Sequence, residues 1–188
     1  MNRLALTTVA VVALTAAACS KKDDSQNPAA DSQMAAGATE SSAPANTPAS
    51  GGQAFADAAA ASDNFEIESS KLAATKAASA KVKTFAEQMI KAHTGSTEKL
   101  KTAAAAASPA ITPTPALTPA QQAKIDELSS KSGADFDKAY AAAQVDAHQA
   151  TLDAVKAYSS SGDVPSLKAF ATQLVPIVTA HLNMAKGL

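Results

Sequence analysis

Cysteine is nearly absent from this chain: Cys19 is the only one in 188 residues. No disulfide framework can hold the fold, so stability must come from packing. An excess of charge of one sign is also lacking. Sixteen Lys and Arg face seventeen Asp and Glu, and the basic residues are scattered, so no electrostatic footprint for nucleic acid is present. The chain has no Gly-rich phosphate loop, no nucleophile elbow and no zinc-ribbon spacing. Its many serines stand in no recognisable acid–base arrangement.

Long apolar runs are missing too. The one at the start, Leu4 to Ala18, covers about 15 residues, short of the roughly 20 that cross a bilayer as a helix. Preceded by Arg3 and ending in small residues, it reads as a secretory signal over residues 1–18. Cys19 follows Ala16-Ala17-Ala18 directly, a placement that resembles the lipobox of bacterial lipoproteins, in which the cysteine is acylated and becomes the mature N-terminus. The usual leucine three residues before the cysteine is Ala16 here, and cleavage by ordinary signal peptidase is the bland alternative. Lipidation gives a lone cysteine in an exported protein a place. Ser20 after it, rather than Asp, points to the outer membrane. The expected partner is therefore a membrane, reached through a lipid anchor.

Residues 19–52 are rich in Ser, Ala, Pro, Asn, Gln and Gly, with almost no large apolar side chain. Such a segment cannot bury enough surface to offset its ordering entropy and is expected to be a tether. From 53 to 188 the chain has the size of one domain. It is alanine-rich and shows no period-two alternation, so it reads as all-α. "SPAITPTPALTP" and "SSSGDVP" are breaks, the second with Asp163 as a candidate N-cap. Softer breaks fall at "KAASAKV" and "SKSGADF". Four main helices are expected at about 53–77, 79–107, 134–160 and 164–186, with a short extra helix at 120–131 after the proline-rich loop. An up-down-up-down bundle would bury their four apolar stripes.

Projection at about 100° per residue sorts the polar residues. On the first helix Asp57, Asn64, Glu68 and Lys71 mark the wet face, and Glu66 falls with the inner group of Phe55, Ser62, Ser69 and Ala73. On the second, His93 lies among Val82, Phe85, Met89 and Leu100. On the third, Asp137, Gln144 and His148 share the inner side with Tyr140 and Val155. On the fourth, His181 is central among Leu167, Phe170, Leu174, Val178 and Leu182, with Pro176 outside. Every histidine and one glutamate thus face inward. With both hairpin turns at one end, these four residues span about 10 Å along the axis, at roughly 1.5 Å per residue.

One carboxylate with three imidazoles is a chemically sensible shell for Fe, Mn or Zn. Asp137 is then a candidate to orient one of the histidines from behind. The competing reading is a polar core whose members satisfy one another by hydrogen bonding and fix the register of an alanine-rich bundle. No E-x-x-H pair is present, which argues against a ferritin-type di-iron centre.

"NFEIESSKLAATKAASAKVKTFAEQMIKAHTGSTEKL", "SGADFDKAYAAAQVDAHQATL" and "LKAFATQLVPIVTAHLNMA" together resemble the ferritin-like bacterial exported proteins grouped as domain of unknown function 4142. The likeness covers about residues 53 to 186, and Glu66, His93, Phe136, Asp137, Tyr140, His148, Pro176 and His181 fall on its motif positions. One departure stands out: the family usually has Asp immediately before the second-helix histidine, where this chain has Ala92. The resemblance implies a ferritin-like four-helix fold and an exported, often membrane-associated location, and it implies no established activity. Two functional readings follow. One is a non-enzymatic, lipid-anchored envelope protein whose head binds a partner, self-associates or serves a stress-related role. The other is a metal-binding or redox protein using Glu66, His93, His148 and His181.

Overall fold

The computed structural model describes residues 51–188. The signal segment, Cys19 and the tether lie outside the described residues, except Gly51 and Gly52, which already belong to the first helix. Five helices follow: α1 (Gly51–Lys76), α2 (Ala80–Ala105), α3 (Pro119–Ser129), α4 (Gly133–Ser161) and α5 (Pro165–Ala185). Four of them form the expected bundle, and α3 is the extra helix. Among the described residues no helix is long and apolar enough to cross a membrane.

Around the bundle the order is α1, α2, α5, α4, with α1 packed on α2 and α4, and α5 packed on the same two. Each helix is antiparallel to both neighbours, so the expected alternation holds in space. The order along the chain is different, because the link from α2 to α4 is a crossover. Ala77, at the end of α1, bridges to Gly133, at the start of α4. Lys81 of α2 reaches the carbonyl of Gly187, beyond the end of α5. At the opposite end Gly51 meets Asp163, and Ser166 of α5 donates to the Ala103 carbonyl of α2 at 2.7 Å. The two hairpin turns therefore lie at opposite ends, not at the same end. Such a long crossover is typical of ferritin-like bundles.

The crossover is fastened to α1 by Gln53 and by two of the side chains that read as its wet face, Asp57 and Asn64. Gln53 Nε2 donates to the Thr112 carbonyl at 3.0 Å, the Thr114 amide donates to Asp57 Oδ1 at 2.7 Å, and Asn64 Nδ2 donates to the Pro115 carbonyl at 2.8 Å. Thr118 and Gln121 then close a reciprocal capping box at the start of α3, with Pro119 at its first position. Leu128 of α3 is fully buried in the apolar cluster around Phe136 and Tyr140. Gly133 opens α4 with φ of +62°, a left-handed turn that a residue with a Cβ would strain.

Two further expectations change. Asp163 is not the N-cap of α5, a position held by Val164 without a side-chain bond. Its carboxylate accepts the Tyr158 hydroxyl at 2.8 Å and packs beside Gly51, tying the turn to the start of α1. Asp137 meets no histidine. It accepts the amides of Ala78 and Ser79 at 3.2 and 2.8 Å, just ahead of α2, and so helps satisfy the open donors at that helix start. Its reach is set by the neighbouring ends of α1 and α4, which no single-helix projection contains.

The core is not continuous. One apolar cluster gathers Phe55, Leu100, Leu152, Leu167, Phe170 and Leu174, and a second gathers Phe65, Phe85, Met89, Leu128, Phe136 and Tyr140. Between them in chain order fall the buried polar residues Asp63 on α1, His93 on α2 and Gln144 and His148 on α4, while Glu66, Ser69 and Ser70 follow Phe65 within the second cluster's stretch of α1. His181 of α5 joins them.

Candidate metal centre

Glu66, His93, His148 and His181 each come from a different helix of the bundle. Counted from the end where α1 and α5 begin and α2 and α4 finish, they lie between about 12 and 16 residues in, a spread of roughly 6 Å at helical rise. All four are buried, as the periodicity of their helices requires. The convergence survives the reversed chain order because Glu66, His93 and His148 sit near mid-helix, where reversing a helix leaves depth unchanged.

The three imidazoles form a nearly equilateral triangle. Ring centroids are 5.7 Å apart for His93 and His148, 5.6 Å for His93 and His181, and 5.5 Å for His148 and His181. One nitrogen from each ring lies within 4.8 Å of those of the other two. Ligands sharing one ion at a metal–nitrogen distance of about 2.0–2.1 Å sit roughly 3.5 Å apart, so a modest rotation would close the set.

Two rings are held from behind. His93 Nδ1 lies 2.7 Å from Asp63 Oδ1, and since a carboxylate only accepts, this nitrogen carries the proton. Thr97 Oγ1 stands 3.2 Å from Asp63 Oδ2 and 3.0 Å from the His93 carbonyl, steadying the pair. His148 Nδ1 donates to the Gln144 carbonyl at 2.8 Å, one turn earlier on α4. Both arrangements leave Nε2 on the side away from the anchoring bond, with a free lone pair there when the ring is neutral. Asp63 was not among the residues singled out by projection. Its signal is its place three residues before Glu66, one turn away on the same face, and it takes the orienting role expected of Asp137.

Glu66 Oε1 is 3.7 Å from His148 Nδ1, too far for a hydrogen bond. Gln144 donates from Nε2 to Ser69 Oγ at 3.2 Å. Five buried side-chain atoms among the described residues have no hydrogen-bond partner: Glu66 Oε2, His93 Nε2, Gln144 Oε1, His148 Nε2 and His181 Nδ1. All five belong to this layer. Leaving such an atom unpaired costs about 1–3 kcal/mol, so a cluster of them on ligand-type atoms is what a site for a bound group requires.

Burial also sets the charges. It pushes His148 and His181 down to about 4, each further lowered by the charge on His93, so both rings are neutral at pH 7 with lone pairs free. Burial acts against charge on His93 as well, but the Asp63 hydrogen bond and the nearby Glu66 outweigh it and hold this ring above the usual range. Burial raises Glu66 to about 7, against partial relief from His93 and Gln144.

These shifts give the metal-free protein a peaked stability profile. His148 and His181 have depressed folded values, so their contribution is present above about pH 6.5 and is lost as pH falls toward 4. Glu66 and His93 have raised folded values, so theirs is present at lower pH and is lost as pH rises through and beyond 7. The melting temperature in excess chelator is expected to be highest between about pH 6 and 7 and lower at both pH 5 and pH 8, with slopes on the order of 1 kcal/mol per pH unit. Glu66→Gln should flatten much of the alkaline side. Thermal melts followed by circular dichroism check this, and a profile flat from pH 5 to 8 would contradict it.

Comparison with known proteins comes to the same architecture. A solved structure described as CopM in the Cu(I)-bound form superposes with a TM-score of 0.59 at 14% identity, covering 72% of this chain and 93% of that one. At that identity the likeness is one of fold. No curated protein matches the sequence. The model of the family described as domain of unknown function (DUF4142) matches residues 36–188, and the chain belongs to that family.

Proposed function

We propose that the protein is a metal-binding protein of the cell envelope, whose helical head takes one transition-metal ion at His93, His148 and His181 with the Glu66 carboxyl beside them. The observation that carries this reading is the set of five unpartnered buried atoms on Glu66, His93, Gln144, His148 and His181. The layer is satisfied where it faces outward, through Asp63, the Gln144 carbonyl and Ser69, and unsatisfied where it faces inward.

The donors favour an ion that accepts imidazole: copper, zinc, iron or nickel, ahead of manganese, which prefers oxygen. The Cu(I)-bound state of the CopM structure makes copper the first ion to test. With zinc, the three imidazoles would leave a fourth position open. The ring pair His93–Asp63 supplies the carboxylate support that ligating histidines commonly have. The lipobox-like position of Cys19 and the polar composition of residues 20–50 support a head tethered to the outer membrane by an acyl anchor.

Protein purified without a histidine tag from metal-replete culture is expected to carry one copper or zinc per chain by elemental analysis. His148→Ala should lose that metal while keeping its helical spectrum. Absence of any stoichiometric transition metal from the wild type would overturn the reading. The anchor is checked separately: Cys19→Ser should move the protein from the membrane fraction to the soluble one, and unchanged fractionation would count against lipidation.

A further inference from the structure

The three histidines are not held alike. His93 is fixed from α1 by the Asp63 carboxylate at 2.7 Å, itself braced by Thr97. His148 is fixed within α4 by the Gln144 carbonyl at 2.8 Å. Among the described residues His181 makes no hydrogen bond through either nitrogen, and its Nδ1 is one of the unpartnered buried atoms. Its packing includes ring contacts with the other two imidazoles, at 5.6 and 5.5 Å. It is also the most exposed of the three, at 9% against 6% for His93 and 2% for His148.

The backbone beneath it differs in the same sense. Pro176 stands five residues before His181 inside α5. Proline has no N–H, so the Thr172 carbonyl lacks its helical donor, and the helix is weakened one turn and a half ahead of the ring. Closing the triangle from its present spacing needs one or more rings to rotate. Turning His93 or His148 would break a hydrogen bond at a buried atom. Turning His181 breaks none.

We propose that His93 and His148 are a preassembled two-imidazole seat and that His181 is the exchangeable ligand, through which the ion enters and leaves. This rests on the metal-binding reading above and adds to it a direction and a role. The ion is passed on by ligand exchange: a donor on the acceptor forms its bond to the metal as the metal–His181 bond breaks, with no change in oxidation state.

The test uses the full chain loaded with Cu(I) and challenged with a colour-forming Cu(I) chelator, read for both affinity and release rate. His93→Ala and His148→Ala are expected to lose on the order of 100-fold or more in affinity, and His181→Ala about 10-fold or less, with faster release. Asp63→Asn keeps all three rings and the helix volume, and should cost about 10–100-fold by loosening His93. Circular dichroism of each variant separates loss of a ligand from loss of fold, and Asp63→Asn carries the test if an alanine variant unfolds. Equal losses for the three alanine variants, a largest loss for His181→Ala, or no loss for Asp63→Asn would each overturn the proposal while leaving metal binding intact. A wild type that takes up no Cu(I), Zn(II) or other ion overturns the underlying reading, and the proposal with it.

Discussion

A polar atom taken out of water must find a partner, and in this bundle that constraint meets four helices that all turn a titratable side chain inward. Asp63 and His93 satisfy each other at 2.7 Å, and His148 is satisfied by the carbonyl one turn before it. Past those bonds the supply of partners ends. Five atoms remain unpaired, on the same buried layer as the histidine triangle. At about 1–3 kcal/mol each they would consume much of the 5–15 kcal/mol by which a typical domain is stable. A bound cation would reverse the sign of that contribution, because it takes several lone pairs at once.

The rest of the fold sets the positions of the helices that carry this layer. Two apolar clusters flank the polar layer along α1, α2 and α4. The crossover returns the chain to the end where α1 finishes, so α4 can bring His148 beside α1 while α5 brings His181 back against α2 and α4. Its fastening to Asp57 and Asn64 and its capped α3 fix the length of that return. Asp137 of α4, bonded to the amides just ahead of α2, locks the same corner. None of these contacts touches the histidines, yet each one sets where a histidine-bearing helix sits.

Much of this was legible from residue order alone. Alanine content, two proline-marked breaks and a 3.6-residue period are local properties, and they placed the helices within a few residues and turned His93, His148, His181 and Glu66 inward. What was not legible depends on which helix lies next to which. Asp57 and Asn64 read as solvent-facing because a single-helix projection cannot know that a loop will lie across them. Asp63 was passed over for the same reason: its partner His93 sits thirty residues away on another helix. Asp137 shares the inner face of its helix with His148, but its height puts it at the end of the bundle, against the start of α2. Asp163 looked like a cap by its position before Pro165, and the hydroxyl of Tyr158 claims it instead. The order of the two turns could not be read either, since a proline-rich link of that length permits both a hairpin and a crossover.

The claim at the centre is that three imidazoles share one ion in a water-poor interior. X-ray absorption at the metal edge of the loaded protein measures this directly. The account predicts a first shell of nitrogen and oxygen at about 2.0–2.1 Å, with the outer-shell scattering of three imidazole rings and no sulfur neighbour. A shell containing sulfur, or one with no imidazole scattering, would contradict it.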